Sequence, residues 1–363
     1  MTKNKDERSE RLWDSRFVKT LKTLAPGTTI RDGLENVLRA KMGALVLIGD
    51  SPAVMEIVDG GFEIDSEFTP AGFYELAKMD GAIVLSHDGK RILFANAQLV
   101  PDPAIATAET GTRHRTAERA AKQTGAPVVA ISQRRNIISV YLGHLRYTLK
   151  DIAVILNRAN QALQTLEKYK KVLDKGLTNL SALEFEDLAT LYDVAIMLIR
   201  AERVRRISCE IERNIIELGT EGRLVSMQME ELISGVDDVA LLIKDYCNTN
   251  EFKDYETVKE QIAALPEENL EPFTICRLLG YGVSPTAMDI PVVPRGYRVL
   301  RQISRLPLLV GEKLVAHFKT LHRIYNASLA ELDEVEGIGE VRAKTIKDGL
   351  KRVREQALLD RHY

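Results

Sequence analysis

The chain has 363 residues, 45% of them hydrophobic and 28% charged, with a formal net charge of −2. That length calls for two or three folded units rather than one core, and the composition is that of a globular protein rather than a disordered one. Met1 to Glu10 is strongly charged and no later stretch approaches the roughly 20 apolar residues that span a bilayer, so no membrane association and a cytoplasmic location are expected. Cys209, Cys247 and Cys276 stand far apart without a CxxC pair, which signals neither a zinc site nor a disulfide framework.

Apolar residues recur at helical spacing from Trp13 to Met42, and Gly43 to Ile48 then has the length and composition of a strand. Met55 to Val58 reads as a second strand, Phe73 to Met79 as a helix, and Ala82 to Leu85 as a third strand. His87-Asp88-Gly89-Lys90 carries a hairpin signal before Arg91 to Leu99 returns, which makes an antiparallel pair. Glu118 to Gln123 reads as helix, and Pro127 to Ser132 and Ile137 to Leu142 as strands across the polar turn Gln133 to Asn136. The expected N-terminal domain is α/β, with a mixed, mainly antiparallel sheet.

Strand patterning stops near Lys150. Long helical stretches, Ile152 to Lys175 and Phe185 to Leu218, fill an all-helical middle, where Leu156, Ala159, Leu163 and Leu166 form a stripe suited to packing. Pro266, Pro272, Pro285, Pro291 and Pro294 cluster in a poorly periodic stretch that reads as a linker. Domains are therefore expected at residues 1–149, 150–294 and 295–363. From Arg295 onward the chain holds 14 Lys and Arg against 9 Asp and Glu, a basic surplus absent elsewhere and suited to a polyanion.

Within that tail, Val335 to Ile346 places Gly337 and Gly339 around one apolar residue between two helical stretches, and resembles a helix-hairpin-helix motif. Two glycines let a tight turn pass close to a phosphate, and the unpaired N–H groups of the next helix face the anion. Arg342, Lys344 and Lys347 add charge, though not all on one face. Leu306 to Val315, with Gly311 and Lys313, looks like a partner hairpin lacking the first glycine. Contact with backbone phosphates carries little sequence preference, and a plain glycine cap between helices is the structural alternative.

Phosphoryl transfer needs metal placement and charge neutralisation, so a carboxylate near a cluster of phosphate-binding groups is the pattern sought. Asp80-Gly81 lies where a helix gives way to a strand, with Gly81 keeping the backbone open to a ligand; alone it also fits an ordinary turn. Gly111 to Arg119 puts Arg113, His114 and Arg115 where a helix should begin, with Thr112 as its N-cap. Free N–H groups, helix dipole and two guanidinium forks would there act on one triphosphate. A solvated basic first turn is the plainer alternative, opposed by the helix dipole.

Asp80-Gly81-Ala82 and Arg113-His114-Arg115 resemble the paired DGA and RHR motifs of the diadenylate cyclase family, at matching spacing. With its helical middle and C-terminal hairpins, the whole chain resembles that family's DNA-binding branch, the DNA integrity scanning proteins. The resemblance implies cyclase domains meeting face to face, each holding one ATP, with each 3′-hydroxyl attacking the other nucleotide's α-phosphate to give cyclic di-AMP and two pyrophosphates. It further implies that Asp80 activates the hydroxyl and holds Mg²⁺ or Mn²⁺. Arg113, His114, Arg115, Thr112, Thr116 and Ser132 would contact phosphates, and Gly81 and Leu99 would border the nucleoside. An octamer, a nucleoid location, and branched DNA such as a Holliday junction restraining the cyclase belong to the same expectation.

A competing reading from the sequence is a DNA-repair scaffold that senses ATP without turnover; Asp80 argues against it, because sensing needs no metal-binding carboxylate. The chain has no GxxxxGK[ST] run for a P-loop and no GxGxxG for a dinucleotide fold.

Overall fold

The computed structural model describes residues 13–233, 238–248, 255–282, 288–304 and 306–360. The charged start, Met1 to Glu10, and Pro285 lie outside the described residues. The chain divides into two compact units, Met1–Gln161 with Ile211–Met227 and Ala162–Glu210 with Gln228–Tyr363.

The first unit opens with α1 (Ser15–Thr23) and α2 (Thr29–Arg39), whose N-caps Asp14 and Thr28 accept hydrogen bonds from the N–H groups of Arg16 and Arg31. There follow β1 (Ala44–Ile48), α3 (Pro52–Met55), β2 (Val58–Asp59), β3 (Phe62–Glu67), α4 (Pro70–Leu76), β4 (Ala82–Leu85), β5 (Arg91–Leu99), α5 (Thr112–Thr124), β6 (Val128–Ser132), β7 (Ile137–Leu142) and β8 (Leu145–Leu149). They make one eight-stranded sheet, ordered β2-β5-β4-β1-β6-β7-β8 with β3 also on β5. Only β1 and β4 run parallel, and the other pairings are antiparallel.

Helices cover both faces, which explains why all five residues of β1 are buried. Val46 and Ile48 face α2 and α4 alongside Ile30, Leu34 and Phe73. Leu45 and Leu47 face α5, whose contacts are Ala117, Ala120 and Ala121. Three alanines on one face of that helix let it lie close to the sheet, which brings its N-terminus to the strand ends.

Several local expectations are corrected. Met55 to Val58 is not a strand: Pro52 sits in the first turn of α3 with its fixed φ suited to a helix start, and only Val58 joins the sheet. The helix expected over Phe73 to Met79 begins at Pro70, because the Thr69 side chain caps it by accepting from Gly72 N–H. Helix α5 starts well before Glu118, and its N-cap is Gly111 rather than Thr112, since the Gly111 carbonyl accepts the first helical bond from Arg115 N–H at 2.9 Å. Strand β3 had no alternating pattern to reveal it, because all but one of its six residues are exposed.

Helices α6 (Ile152–Phe185) and α7 (Leu191–Leu218) each contribute residues to both units. The helix expected to run unbroken from Phe185 is interrupted: Asp187 takes a left-handed φ of 56°, and Thr190 with Asp193 caps the start of α7. The remaining described helices are α8 (Arg223–Ile233), α9 (Asp238–Tyr246), α10 (Tyr255–Ala263), α11 (Pro272–Leu278), α12 (Tyr297–Arg301), α13 (Leu308–Phe318), α14 (Leu321–Asn326), α15 (Leu329–Asp333) and α16 (Glu340–Asp360). No helix among the described residues is long and apolar enough to cross a membrane.

The proline-rich stretch is not a loose linker. Leu270, Ile275, Cys276, Leu279 and Val292 are buried in one core with Leu191, Val194 and Leu198, and Pro272 opens α11. Prolines there set helix starts and extended turns while the apolar residues between them pack.

A buried polar network lies where α12 begins. The Arg298 guanidinium donates to the Glu184 carboxylate, which also accepts from Tyr246 Oη at 2.6 Å; Arg298, Glu184 and Tyr246 are all buried. Asp245 accepts from the backbone N–H groups of Gly296 and Tyr297 at 2.7 Å and Arg298 at 3.0 Å, capping α12. Burial, reinforced by the Glu184 carboxylate, pushes Asp245 up to about 7 despite those donors. Breaking such a pair strands the other charge in a low dielectric. Arg298→Ala is expected to destabilise the protein by roughly 3–5 kcal/mol, read as a lowered midpoint in urea unfolding; a shift under about 1 kcal/mol would show the network to be incidental.

Candidate functional site

The sheet register gathers the nucleotide motifs at one end. Leu45 pairs with Ala82 in the parallel register, Ala44 with Ile131, and Ala82 with Ala97, so Gly43, Gly81, the end of β5 at Leu99 and the end of β6 at Ser132 share one edge. Gly81 holds a φ of 93°, and a Cβ there would meet the Ala97 carbonyl oxygen at 2.8 Å. Glycine is required at this point for both reasons.

The N-terminus of α5 reaches the same edge. The Arg113 guanidinium lies against the bare Cα of Gly43, where an added Cβ would come within 2.3 Å of Nη1. Its Nη2 stands 3.6 Å from Oδ1 of Asp80, whose side chain is fully exposed. A guanidinium and a carboxylate thus face one another on the open strand ends, beside a first helical turn that no side chain caps. Arg115 and Thr112 are exposed on this turn and Thr116 is half-buried. Leu99 is buried against β2, and the half-buried Ser132 accepts from Arg135 N–H at 3.3 Å.

His114 points the other way, into the unit. Its Nδ1 lies 2.9 Å from the Tyr141 hydroxyl, which donates to Glu109 Oε1 at 2.9 Å, and that oxygen also meets Arg146 Nε at 2.9 Å. Tyrosine has one proton to give, and Glu109 receives it; Nδ1 therefore donates to the phenolic oxygen, leaving a neutral ring with Nε2 as an acceptor. Nε2 is buried without a partner. Burial holds the imidazole below its ordinary range, against Glu109 and assisted by Arg146, Arg135 and Arg113. Burial and the bond to Glu109 raise the Tyr141 hydroxyl well above its usual value.

Glu109 belongs to the segment preceding α5, which that helix's own side chains hold down. Glu118 accepts from Thr107 Oγ1 at 2.5 Å, Arg119 donates to the Ile105 carbonyl at 2.9 Å, and Lys122 to that of Ala106 at 2.8 Å. Gly43, Glu109, Tyr141 and Arg146 were not legible as site residues. Only the cross-strand pairing of Tyr141 with Arg146 brings the last two together. Among the described residues no cluster of three or more His, Cys, Asp or Glu could hold a metal. A single exposed carboxylate fits the mode in which a divalent cation is shared between one protein oxygen and substrate phosphates, and Asp80 meets that requirement.

In the second unit, α15 and α16 flank the turn at Gly337, whose φ is 89°, and Arg342 Nη1 donates to the Gly337 carbonyl at 2.6 Å. Helices α12 and α13 repeat this pattern 32 residues earlier: Leu306 N–H bonds Ile303 O as Ile338 bonds Val335, and Gly311 bonds Pro307 O as Ala343 bonds Gly339. Gly311 therefore occupies the buried position of Ala343 inside a helix, and Pro307 stands where Gly339 does. The sequence placed Gly311 in the turn; the repeat places it at the packing contact with Leu300. Lys313 Nζ reaches Glu336 Oε2 at 3.1 Å, linking the two hairpins. Lys347 donates to the Tyr325 carbonyl at 2.7 Å, whereas Lys344 is exposed.

Two family models match the chain, described as DisA bacterial checkpoint controller nucleotide-binding over residues 31–145 and DisA bacterial checkpoint controller linker region over 149–288. The DNA integrity scanning protein DisA of Carboxydothermus hydrogenoformans is 58% identical over 345 residues, covering 94% of this chain and 98% of that protein. Its counterpart in Symbiobacterium thermophilum is 55% identical over 349 residues, covering 96% and 98%. The chain belongs to the DNA integrity scanning protein family. As a member of that family it is a diadenylate cyclase, a nucleotidyltransferase, and its Asp80-Gly81-Ala82 and Arg113-His114-Arg115 segments fall within the matched nucleotide-binding region. A solved structure, a double mutant of DacA from Staphylococcus aureus, is 20% identical with a TM-score of 0.29, covering 38% of this chain and 91% of that one.

The Gly43 cradle can be tested with a single methyl group, which would displace the end of the exposed Arg113 side chain and otherwise meet the Ile131 carbonyl oxygen at 3.3 Å. Gly43→Ala is expected to raise the KM for ATP about tenfold, the loss of one charge-assisted contact, with the melting temperature nearly unchanged. Tyr141→Phe leaves His114 Nδ1 and Glu109 short of a partner inside the unit, a cost of about 1–3 kcal/mol. It should lower both the melting temperature and cyclase turnover; unchanged values in both assays would show that the chain of bonds does not hold the turn.

Proposed function

We propose that the strand-end site binds one ATP per chain and that the product forms between two such sites facing each other in a homo-oligomer, an octamer. Each site supplies one nucleotide to a two-nucleotide product, so assembly is part of the chemistry. In this reading each 3′-hydroxyl attacks the α-phosphate of the opposite ATP, two phosphodiester bonds form and two pyrophosphates leave. Asp80 sits beside the hydroxyl and favours its deprotonation. Arg113, Arg115, Thr112, Thr116 and Ser132 hold the phosphates, and Gly81 and Leu99 border the nucleoside. His114 serves the phosphates from behind by fixing the turn that carries the two arginines.

A Mg²⁺ or Mn²⁺ ion would be held by Asp80 together with the triphosphate, and would supply charge neutralisation at the reacting phosphorus. The observation that carries the reading is the Arg113–Asp80 pair 3.6 Å apart on the open strand ends, beside an uncapped helix start. Asp80→Asn keeps the shape and removes the negative charge. Incubated with ATP and either metal, it is expected to yield no cyclic di-AMP by mass spectrometry while the unaltered chain does; product from both would remove Asp80 from the chemistry.

The proposed organisation is a cyclase domain over 1–149, a helical spine over 150–294 and a DNA-binding pair of helix-hairpin-helix motifs over 295–363. The name of the relatives, DNA integrity scanning protein, and the basic surplus of the tail support a DNA partner. Gly337, Gly339, Arg342, Lys344, Lys347 and Lys313 form the phosphate-facing surface in this reading, with Gly311 packing behind it. Branched DNA such as a Holliday junction would restrain the cyclase through the spine, which places the protein at the nucleoid. Added junction DNA is expected to lower the rate of cyclic di-AMP formation several-fold; binding with unchanged turnover would sever DNA recognition from regulation.

A further inference from the structure

The two C-terminal hairpins share a feature that phosphate binding leaves unexplained. In each, the second residue of the second helix is a large aliphatic side chain standing in solvent. Leu309 in α13 is 71% exposed and Val341 in α16 is 81% exposed. They are equivalent positions of the repeat, since Ile303, Leu306, Gly311 and Leu314 match Val335, Ile338, Ala343 and Ile346, all eight inside the unit, and the same register aligns Leu309 with Val341. Leu308, next to Leu309, is also 55% exposed. One exposed aliphatic residue is ordinary; the same exposed position in both copies of a repeat is a surface.

What would cover that surface follows from its neighbours. The backbone N–H groups of Leu308 and Leu309 precede the first bonds of α13, Val310 and Gly311 to the Pro307 carbonyl, and those of Glu340 and Val341 precede the bond of Ala343 to the Gly339 carbonyl in α16, so each helix start leaves donors for an anion beside these side chains. Lys313 follows Leu309 by one turn and Lys344 follows Val341 by three residues, so each aliphatic residue shares a face with an ammonium. The Lys313–Glu336 contact at 3.1 Å holds the two hairpins side by side. Exposed aliphatic side chains beside helix-start N–H groups and the exposed Lys344 fit a partner that presents both phosphates and apolar faces, which describes a nucleic acid with exposed base faces.

We infer that Leu309 and Val341 are wedge residues that contact unstacked base faces at a DNA branch point while the surrounding donors hold the backbone. This rests on the DNA reading proposed above and gives it a physical basis for branch preference. In continuous duplex a wedge must first separate stacked pairs, whereas a branch point already offers open faces. Backbone contacts alone would bind both forms alike.

The test uses the full chain and the double variant Leu309→Ser with Val341→Ser, measured by fluorescence anisotropy against a four-way junction and a linear duplex of equal length and composition. Both side chains are exposed, so the variant is expected to melt where the unaltered protein does. The inference predicts about a tenfold or greater loss of junction affinity with duplex affinity within twofold. Lys344→Gln, a phosphate-side change, should weaken both forms equally. Equal loss on both DNAs in the double variant, or no loss on either, overturns the wedge. A change in oligomer size on the column also overturns it, because the aliphatic surface would then be covered by a second copy of the chain. Failure of the unaltered protein to bind either DNA would instead refute the DNA reading itself.

Discussion

Leu45 pairs with Ala82 across the one parallel junction of the sheet, and the placement of the nucleotide site follows from that register. Parallel neighbours start at the same edge, so the residues just before β1 and β4, Gly43 and Asp80-Gly81, arrive together although nearly forty positions apart in sequence. Antiparallel partners on either side end where these begin, which adds Leu99 and Ser132. A slip of one residue would turn Leu45 and Leu47 away from α5 and unseat the helix whose first turn carries Arg113.

That first turn is electrostatically unfavourable as it stands. Three basic-type residues lie at the positive end of a helix, with no acidic residue in the first turn to offset them. The structure compensates in two directions: Asp80 lies across the opening from Arg113, and His114 is withdrawn into the unit and kept neutral by burial. What remains uncompensated faces outward, where a triphosphate would relieve it. The site is therefore preorganised for an anion, in the sense that the repulsion is already present before one binds.

Much of this was legible from residues whose signals are local. Ala82 to Leu85, the Asp88-Gly89 turn, and the strand pair across Gln133 to Asn136 depend on neighbours in sequence, and they were read correctly. Phe62 to Glu67 was invisible because an exposed edge strand has no inner face to alternate against. The proline-rich stretch misled for the opposite reason: turn residues were visible, but the burial of Ile275 and Val292 against α7 is a tertiary fact. Within the site, Asp80 and Arg113 carried motif signals, whereas Tyr141 and Glu109 contribute through a chain of contacts that no spacing encodes. Gly311 was read as part of a turn and instead lies inside α13, at a packing position that only the 32-residue repeat of backbone bonds reveals.

The C-terminal repeat is symmetric in backbone and core but not in charge. Where the second copy carries the exposed Lys344, the first carries Glu312, whose carboxylate lies 2.8 Å from Lys244 in α9. One copy thus spends its polar side chain on holding the pair to the body of its unit, and the other leaves a cation outward. After such divergence the two halves present unequal charge at equivalent positions. If the pair binds a partner with two-fold symmetry, as proposed, that partner would meet unequal halves and take up a preferred direction.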